Sequence, residues 1–223
     1  MNHWKQRITI VAMFVVPMVI YFWMKSVKPH ILKLQVMGEK FVDEQTQDTV
    51  YHSVPDFIFT DQEGQKLTQQ YFDSGATIVN FFFSTCKDVC PKMNGNVLNL
   101  YEKYLNTKGL HFLSHTVDPE TDSVAVLSKY ANNLRALSYK WKFVTGNKSD
   151  IYNIAMKGYL LPTGYDSSVA IDSVKFFHSQ QLLLIDNHHR IRGIYDGLLS
   201  YDIKRLDDEL KVLMYEILHE KDK

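Results

Sequence analysis

Residues Ala76–Phe83 read ATIVNFFF, an apolar run rich in β-branched and aromatic side chains. Eight residues suit a strand better than a helix. A strand this apolar on alternate positions is buried on both faces. It therefore needs cover above and below, so the rest of the chain must supply layers on both sides of a sheet. The flanking segments have the periodicity to do so. Phe57–Thr60 and Gln65–Leu67 bracket the turn residues Asp61-Gln62-Glu63-Gly64 and predict a hairpin. Val97, Leu98, Tyr101 and Leu105 recur at helical spacing up to a stop at Gly109. Leu110–Val117 predicts a second strand, and Thr121 or Asp122 a cap for the helix running to Leu134.

Trp141–Thr145 predicts a third strand, followed by a short helix near Ile151–Met156. Phe176–Ile185 and Ile191–Tyr195 predict a hairpin turning at Asp186-Asn187-His188-His189, and Ile203–Leu218 a closing amphipathic helix. Alternating strands and helices that end in an antiparallel hairpin predict an α/β fold. Its expected form is a mixed, thioredoxin-like central sheet flanked by helices.

Ahead of this domain, Ile8–Met24 (ITIVAMFVVPMVIYFWM) carries no charge. As a helix at ~1.5 Å per residue it spans roughly 25 Å, close to the ~30 Å hydrocarbon core of a bilayer. Trp4, Tyr21 and Trp23 stand where interfacial aromatics belong. A cleaved signal peptide would show a shorter apolar region and a small-residue cleavage site, so an uncleaved membrane anchor over residues 1–24 is the favoured reading. Residues 25–49, including the polar stretch EKFVDEQTQDT, read as a juxtamembrane linker, and residues 50–223 as the folded domain. Lys5 and Arg7 before the span are balanced by Lys25, Lys28 and Lys33 after it, so charge does not orient it. The 25 Lys and Arg equal the 25 Asp and Glu, which gives no general attraction to nucleic acid. Recognition has to come from a local site.

That site is marked by the chain's two cysteines, Cys86 and Cys90, in STCKDVCPKMN directly after the apolar strand. Backbone N–H groups at a helix start favour thiolate, and Pro91 suits a first-turn position. Both sulfurs are expected to be partly accessible and readily ionised. A purely structural disulfide here closes a tiny loop, for about 2 kcal/mol that a domain of this size does not need. A thiol–disulfide oxidoreductase usually has two residues between its cysteines, and here there are three. That spacing sets the sulfurs one helical turn apart, as a pair of soft ligands suited to Cu(I). A third donor is still required, and zinc would normally take four.

In these motifs the chain resembles the SCO/SenC family, thioredoxin-fold copper proteins of cytochrome c oxidase assembly. The shared features are Cys86-Lys87-Asp88-Val89-Cys90-Pro91, Val117-Asp118-Pro119-Glu120-Thr121-Asp122, and His178 in FFHSQQLLLID, 88 positions beyond Cys90. The resemblance covers roughly residues 50–220 with an anchor before it. It implies copper held by Cys86, Cys90 and His178, with Asp118 positioning the metal loop or facing a partner. It also implies a copper donor protein, a copper-accepting oxidase subunit, and a single-pass location in the cell's inner membrane with the domain on the extracytoplasmic side. Lys87 stands where the family usually has proline, and Phe177 where it usually has aspartate, so the imidazole loses a possible carboxylate neighbour.

Of the other histidines, His115 reads as a strand residue or an auxiliary ligand, and His188 and His189 as turn residues. Asp118 and Pro119 also suit a plain turn, and Asp122 a helix cap. The leading expectation is a metallochaperone, with thiol–disulfide exchange at the same cysteines as the alternative. Peroxide reduction is disfavoured because Phe81–Phe83 occupy the stretch where a polar peroxide pocket would lie.

Overall fold

The computed structural model describes residues 4, 13, 15–19, 21, 33–86, 89–161 and 180–220. In chain order the elements are β1 (Lys40–Val42), β2 (Thr49–Tyr51), β3 (Ile58–Asp61), β4 (Lys66–Thr68), β5 (Ala76–Phe82), α1 (Val89–Lys103), β6 (Leu110–Thr116), α2 (Val124–Asn133), β7 (Trp141–Thr145), α3 (Lys148–Asn153), β8 (Gln181–Ile185), β9 (Ile191–Asp196) and α4 (Ser200–Glu220). The central strand falls where ATIVNFFF predicts it, buried along its whole length. It pairs in parallel with β6 and antiparallel with β8, within a sheet ordered β4-β3-β7-β6-β5-β8-β9. The parallel β5–α1–β6 unit and the antiparallel β8–β9–α4 unit join at β5 and β8. That is a mixed α/β, thioredoxin-like sheet.

Alternation along the strands divides the core between two faces. Ile78, Phe82, Phe112, Trp141, Phe143, Leu182 and Leu184 pack against Met93 and Val97 of α1, Leu127 of α2, and Leu206 and Leu210 of α4. Val79, Phe81, Leu113, Val144 and Leu183 pack against Phe57, Phe72, Ile151 and Tyr159 on the other face. Each fully buried side chain of this size contributes about 1.5–3 kcal/mol. Where β5 and β6 begin, the Ala76 amide donates to the Gly109 carbonyl at 2.9 Å. A Cβ on Gly75 would lie 2.1 Å from that oxygen, so the chains can approach here only with glycine.

Three local readings are corrected. Ser123, not Thr121 or Asp122, caps α2, its side chain accepting from the Val126 amide. The helix placed near Ile151–Met156 begins earlier, at Lys148, capped by Asn147, and continues as a π-helical turn over Ile154–Gly158. The stretch read as linker to residue 49 is built into the domain from Lys33 onward. The Met37 amide donates to the Ile191 carbonyl at 2.8 Å, and Leu34 is gripped through its amide by Glu216 and through its carbonyl by Arg192, both at 2.7 Å. Strands β1 and β2 form a hairpin in this stretch. Among the described residues no helix is long and apolar enough to cross a membrane, and most of Ile8–Met24 lies outside them.

Candidate metal and thiol site at the end of the central strand

The two cysteines flank the passage from β5 into α1. Past the end of β5, the Phe82 carbonyl accepts from the Val117 amide at 2.8 Å, so β5 and β6 stay joined where the loop departs. The Cys86 amide then donates to the Phe83 carbonyl at 3.3 Å, closing a turn. Four residues on, in the first turn of α1, the Cys90 amide donates to Cys86 Sγ at 3.3 Å. The two cysteines are not joined in a disulfide, and Cys86 is half-buried and Cys90 buried. The first sulfur therefore faces the helix start, at the one-turn spacing expected for paired ligands.

Helix α1 is keyed to the sheet one turn below Cys90. Asn94 Oδ1 accepts from Asn80 Nδ2 of β5 at 3.1 Å, and Asn94 Nδ2 donates to the Tyr130 hydroxyl at 2.6 Å. Asn80 Oδ1 accepts from Ser114 Oγ at 2.6 Å, whose oxygen accepts from Trp141 Nε1 at 2.9 Å. All of these polar groups sit inside an apolar layer, where an unmade bond costs about 1–3 kcal/mol. On its other flank α1 meets the turn after β9. Asn96 Nδ2 donates to the Gly197 carbonyl at 2.8 Å, and a Cβ on Gly197 would lie 2.7 Å from Met93 Cγ. The Gly197 amide in turn donates to the Gln180 carbonyl at 2.7 Å, just beyond the Gln181–Asp196 end of the β8–β9 ladder.

Burial, more than the helix start, sets the acidity of Cys90. Removal from water pushes its thiol up to about 12, helped by the hydrogen bond and charge of Cys86. A helix terminus supplies about 0.3–1 kcal/mol, less than one pKa unit, which is too little to offset a rise of this size. The expectation of two readily ionised sulfurs is thus corrected for Cys90. The Tyr130 phenol is also pushed up, chiefly by burial, with Cys90, Asp122 and Cys86 adding repulsion to its charged form.

A carboxylate that the sequence placed at a helix cap lies beneath the loop instead. Asp122 is fully buried. It accepts from the Ser84 amide at 3.1 Å and 3.3 Å through its two oxygens, from the Ser84 hydroxyl, and from Thr116 Oγ1 at 2.5 Å. Thr116 Oγ1 also accepts from the Asp118 amide at 3.0 Å. No local pattern marks this. The only hint is that Asp122 is followed by Ser123, a competent cap in its own right.

Asp118 itself is half-exposed. Its carbonyl accepts from the Thr121 and Asp122 amides at 3.2 Å and 2.8 Å, while its carboxylate takes no hydrogen bond among the described residues. His115 is not beside the cysteines. It is fully buried on the opposite face of the sheet, among Phe57, Phe59, Phe81 and Tyr159. His188 and His189 occupy the turn as read, paired with Glu220 at 3.1 Å and Asp73 at 2.6 Å. Lys87, Phe177 and His178 lie outside the described residues. Among the described residues no group of three or more His, Cys, Asp or Glu is placed to hold a metal ion.

Residues 45–214 match the SCO1/SenC family. A SCO1 protein homolog from Bacillus subtilis is 26% identical over 167 residues, covering 72% of this chain and 86% of its own length. A SCO2-like protein from Rickettsia prowazekii is 26% identical over 152 residues, covering 67% and 73%. Among solved structures, BsSco, described with a disulfide switch and as a member of the Sco family of cytochrome c oxidase assembly proteins, superposes with a TM-score of 0.62. It is 23% identical, covering 77% of this chain and 99% of its own. Arabidopsis thaliana ScoI, solved with copper bound, superposes with a TM-score of 0.56 at 21% identity, covering 71% and 96%.

Proposed function

Because the chain belongs to the SCO1/SenC family, we propose that it is a membrane-anchored copper-binding assembly factor for cytochrome c oxidase, with copper as its cargo. The observation that carries this reading is the pair of unbridged cysteines one turn apart, Cys90 N to Cys86 Sγ at 3.3 Å, at the exit of the central strand. Two sulfur donors in that arrangement suit a soft monovalent ion. His178 supplies the third donor. That role is supported by the family resemblance of the FFHSQQLLLID segment and by the need of a two-thiolate site for a further donor.

Cu(I) enters at half-buried Cys86 and is closed in by Cys90, which gives up its proton as the metal–sulfur bond forms. Delivery to the oxidase subunit proceeds by ligand exchange, with incoming thiolate or imidazole replacing these donors stepwise. Residues 8–24 anchor the chain, and the domain lies on the extracytoplasmic side of the membrane. Retention in the membrane after carbonate extraction, lost when residues 8–24 are deleted, tests the anchor.

The decisive experiment titrates the full-length, detergent-solubilised, reduced chain anaerobically with Cu(I) against a chromophoric chelator. One equivalent is expected, abolished in Cys86→Ser and Cys90→Ser and weakened in His178→Ala. Unchanged affinity in His178→Ala sinks the three-donor site. A second reading, thiol–disulfide exchange with an oxidase subunit, is favoured by the same unbridged, adjacent sulfurs. It predicts rapid reduction of a peptide disulfide by the copper-free chain.

A further inference from the structure

Asp122 is an ionisable group, wholly buried in the protein, that the copper reading leaves unused. Among the described residues it has no cationic partner. Its charge is met by dipoles alone: the Ser84 amide, the Ser84 hydroxyl and the Thr116 hydroxyl. Burying a carboxylate in this way is costly unless every donor is well aimed. Two of the three donors belong to one residue, Ser84, and that residue sits two positions before Cys86. A carboxylate serving only the α2 terminus would not need Ser84, because Ser123 already caps that helix.

The chain of contacts is continuous. Asp122 fixes Ser84, the Phe83 carbonyl just before it accepts from the Cys86 amide, and Cys86 Sγ accepts from the Cys90 amide. On the far side α1 is locked by Asn94 to Asn80, so Cys90 cannot follow a displaced Cys86. The separation of the two sulfurs is set on one side by the Asn80–Asn94 bond and on the other by Asp122.

We propose that Asp122 is the positioning residue of the thiol pair, holding Ser84 so that Cys86 Sγ stays against the first turn of α1. The proposal rests on Cys86 and Cys90 being the working pair. It does not require that their cargo be copper. Its consequence is an effective concentration. Disulfide formation with glutathione disulfide consumes the two thiols and one oxidised glutathione and yields one intrachain bond and two reduced glutathiones. The closing step is faster and more favourable when the sulfurs are already held together.

The test equilibrates the full-length chain in glutathione redox buffers at pH 7 and reads the oxidised fraction. Asp122→Ala is expected to lower the equilibrium constant for the Cys86–Cys90 disulfide about tenfold, which is about 30 mV for a two-electron couple. Ser84→Ala, which keeps the backbone bond, is expected to lower it about threefold. Asp122→Asn, nearly the same shape, keeps one oxygen for the Ser84 hydroxyl and amide but loses the bond donated by Thr116, and is expected to lower it less than Asp122→Ala does. A control on the other face of the sheet, Leu183→Ala, is expected to lower thermal stability without moving the thiol equilibrium.

An unchanged equilibrium constant in both Ser84→Ala and Asp122→Ala overturns the proposal. So does an Asp122→Asn shift as large as that of Asp122→Ala, which would assign the effect to charge. If Asp122→Ala does not fold, Ser84→Ala decides alone. Failure of the wild-type chain to bind Cu(I) would count against the copper reading while leaving this equilibrium, and so this inference, testable.

Discussion

His115 gives the domain an acid sensitivity whose size can be worked out from its surroundings. Phe57, Phe59, Phe81 and Tyr159 enclose the ring, and no carboxylate lies among them. Nε2 pairs with the Tyr159 hydroxyl at 3.0 Å, and Nδ1 is buried with no hydrogen-bond partner among the described residues. Burial therefore holds the imidazole neutral, its pKa pressed down from 6.5 to about 3. A pKa depressed in the folded state contributes stability that is complete above the unfolded value and is lost as pH falls towards the folded one. At pH 4.5 the unfolded chain holds the proton and the folded chain does not. The two pH units below 6.5, at 1.36 kcal/mol each, give a loss of about 3 kcal/mol relative to neutral pH. Carboxylates titrate in the same range, so the measurement is a difference. The double variant His115→Leu/Tyr159→Phe removes both polar partners together, which costs far less than orphaning either. Urea unfolding at pH 7 and pH 4.5 is expected to show the wild-type chain losing about 3 kcal/mol more than the variant. Parallel losses in the two proteins would refute the assignment to His115.

Three further outcomes rest on the same geometry. Because Cys90 is protonated before metal binding, its thiol held near 12, the apparent Cu(I) affinity should rise about tenfold per pH unit between 6 and 8 from this proton alone; a flat profile against a pH-corrected chelator contradicts that. Asn94→Ala strands Asn80 Nδ2 and frees the Tyr130 hydroxyl, and should cost about 1–3 kcal/mol in urea unfolding while raising protease cleavage near the start of α1; a variant as stable as wild type would show that the buried polar chain adds nothing. Gly75→Ala drives a methyl to within 2.1 Å of the Gly109 carbonyl and should lower stability by at least about 2 kcal/mol, read as a drop in thermal midpoint; a neutral result would mean the two chain starts can separate freely.

The parts of this fold legible in the sequence are those whose hydrogen bonds and apolar faces repeat locally. β5 can be read from ATIVNFFF because burial on both faces leaves no polar alternation, and it ends one residue early, at Phe82. The hairpin at Asp186–His189 can be read because a turn separates two apolar runs, and α4 because Leu206, Leu210 and Leu213 recur on one face. The β1–β2 hairpin is hidden by its polar composition. Its turn is held by Asp43, whose Oδ1 accepts from the Gln45 and Thr46 amides at 2.8 Å and 3.0 Å, with no apolar pattern to betray it. The cysteine pair is legible because strand, spacing and Pro91 all point to one helix start. Asp122 is not, since its partners Ser84 and Thr116 lie 38 and 6 positions away and come together only when β5 and β6 pair. The acidity of Cys90 escapes a sequence reading for a related reason. A helix start can be seen in sequence, whereas the packing of Cys90 with Met93, Val97 and Phe82 cannot.

The asymmetry of the two thiols bears on which chemistry the site performs. Thiol–disulfide exchange needs a thiolate at each step, first to attack and then to resolve the mixed disulfide. Burial pushes the Cys90 thiol up, with the neighbouring Cys86 adding to the rise, which disfavours Cys90 as a resolving thiolate. Metal binding has no such handicap, because a soft ion trades its bond to sulfur directly for the proton. On the proposed copper reading, half-buried Cys86 is the point of entry and Cys90 follows as the second ligand, giving up its proton to the metal–sulfur bond. Reprotonation on release would return Cys90 to the form that burial prefers, so the same packing that delays its ionisation would assist transfer to an acceptor.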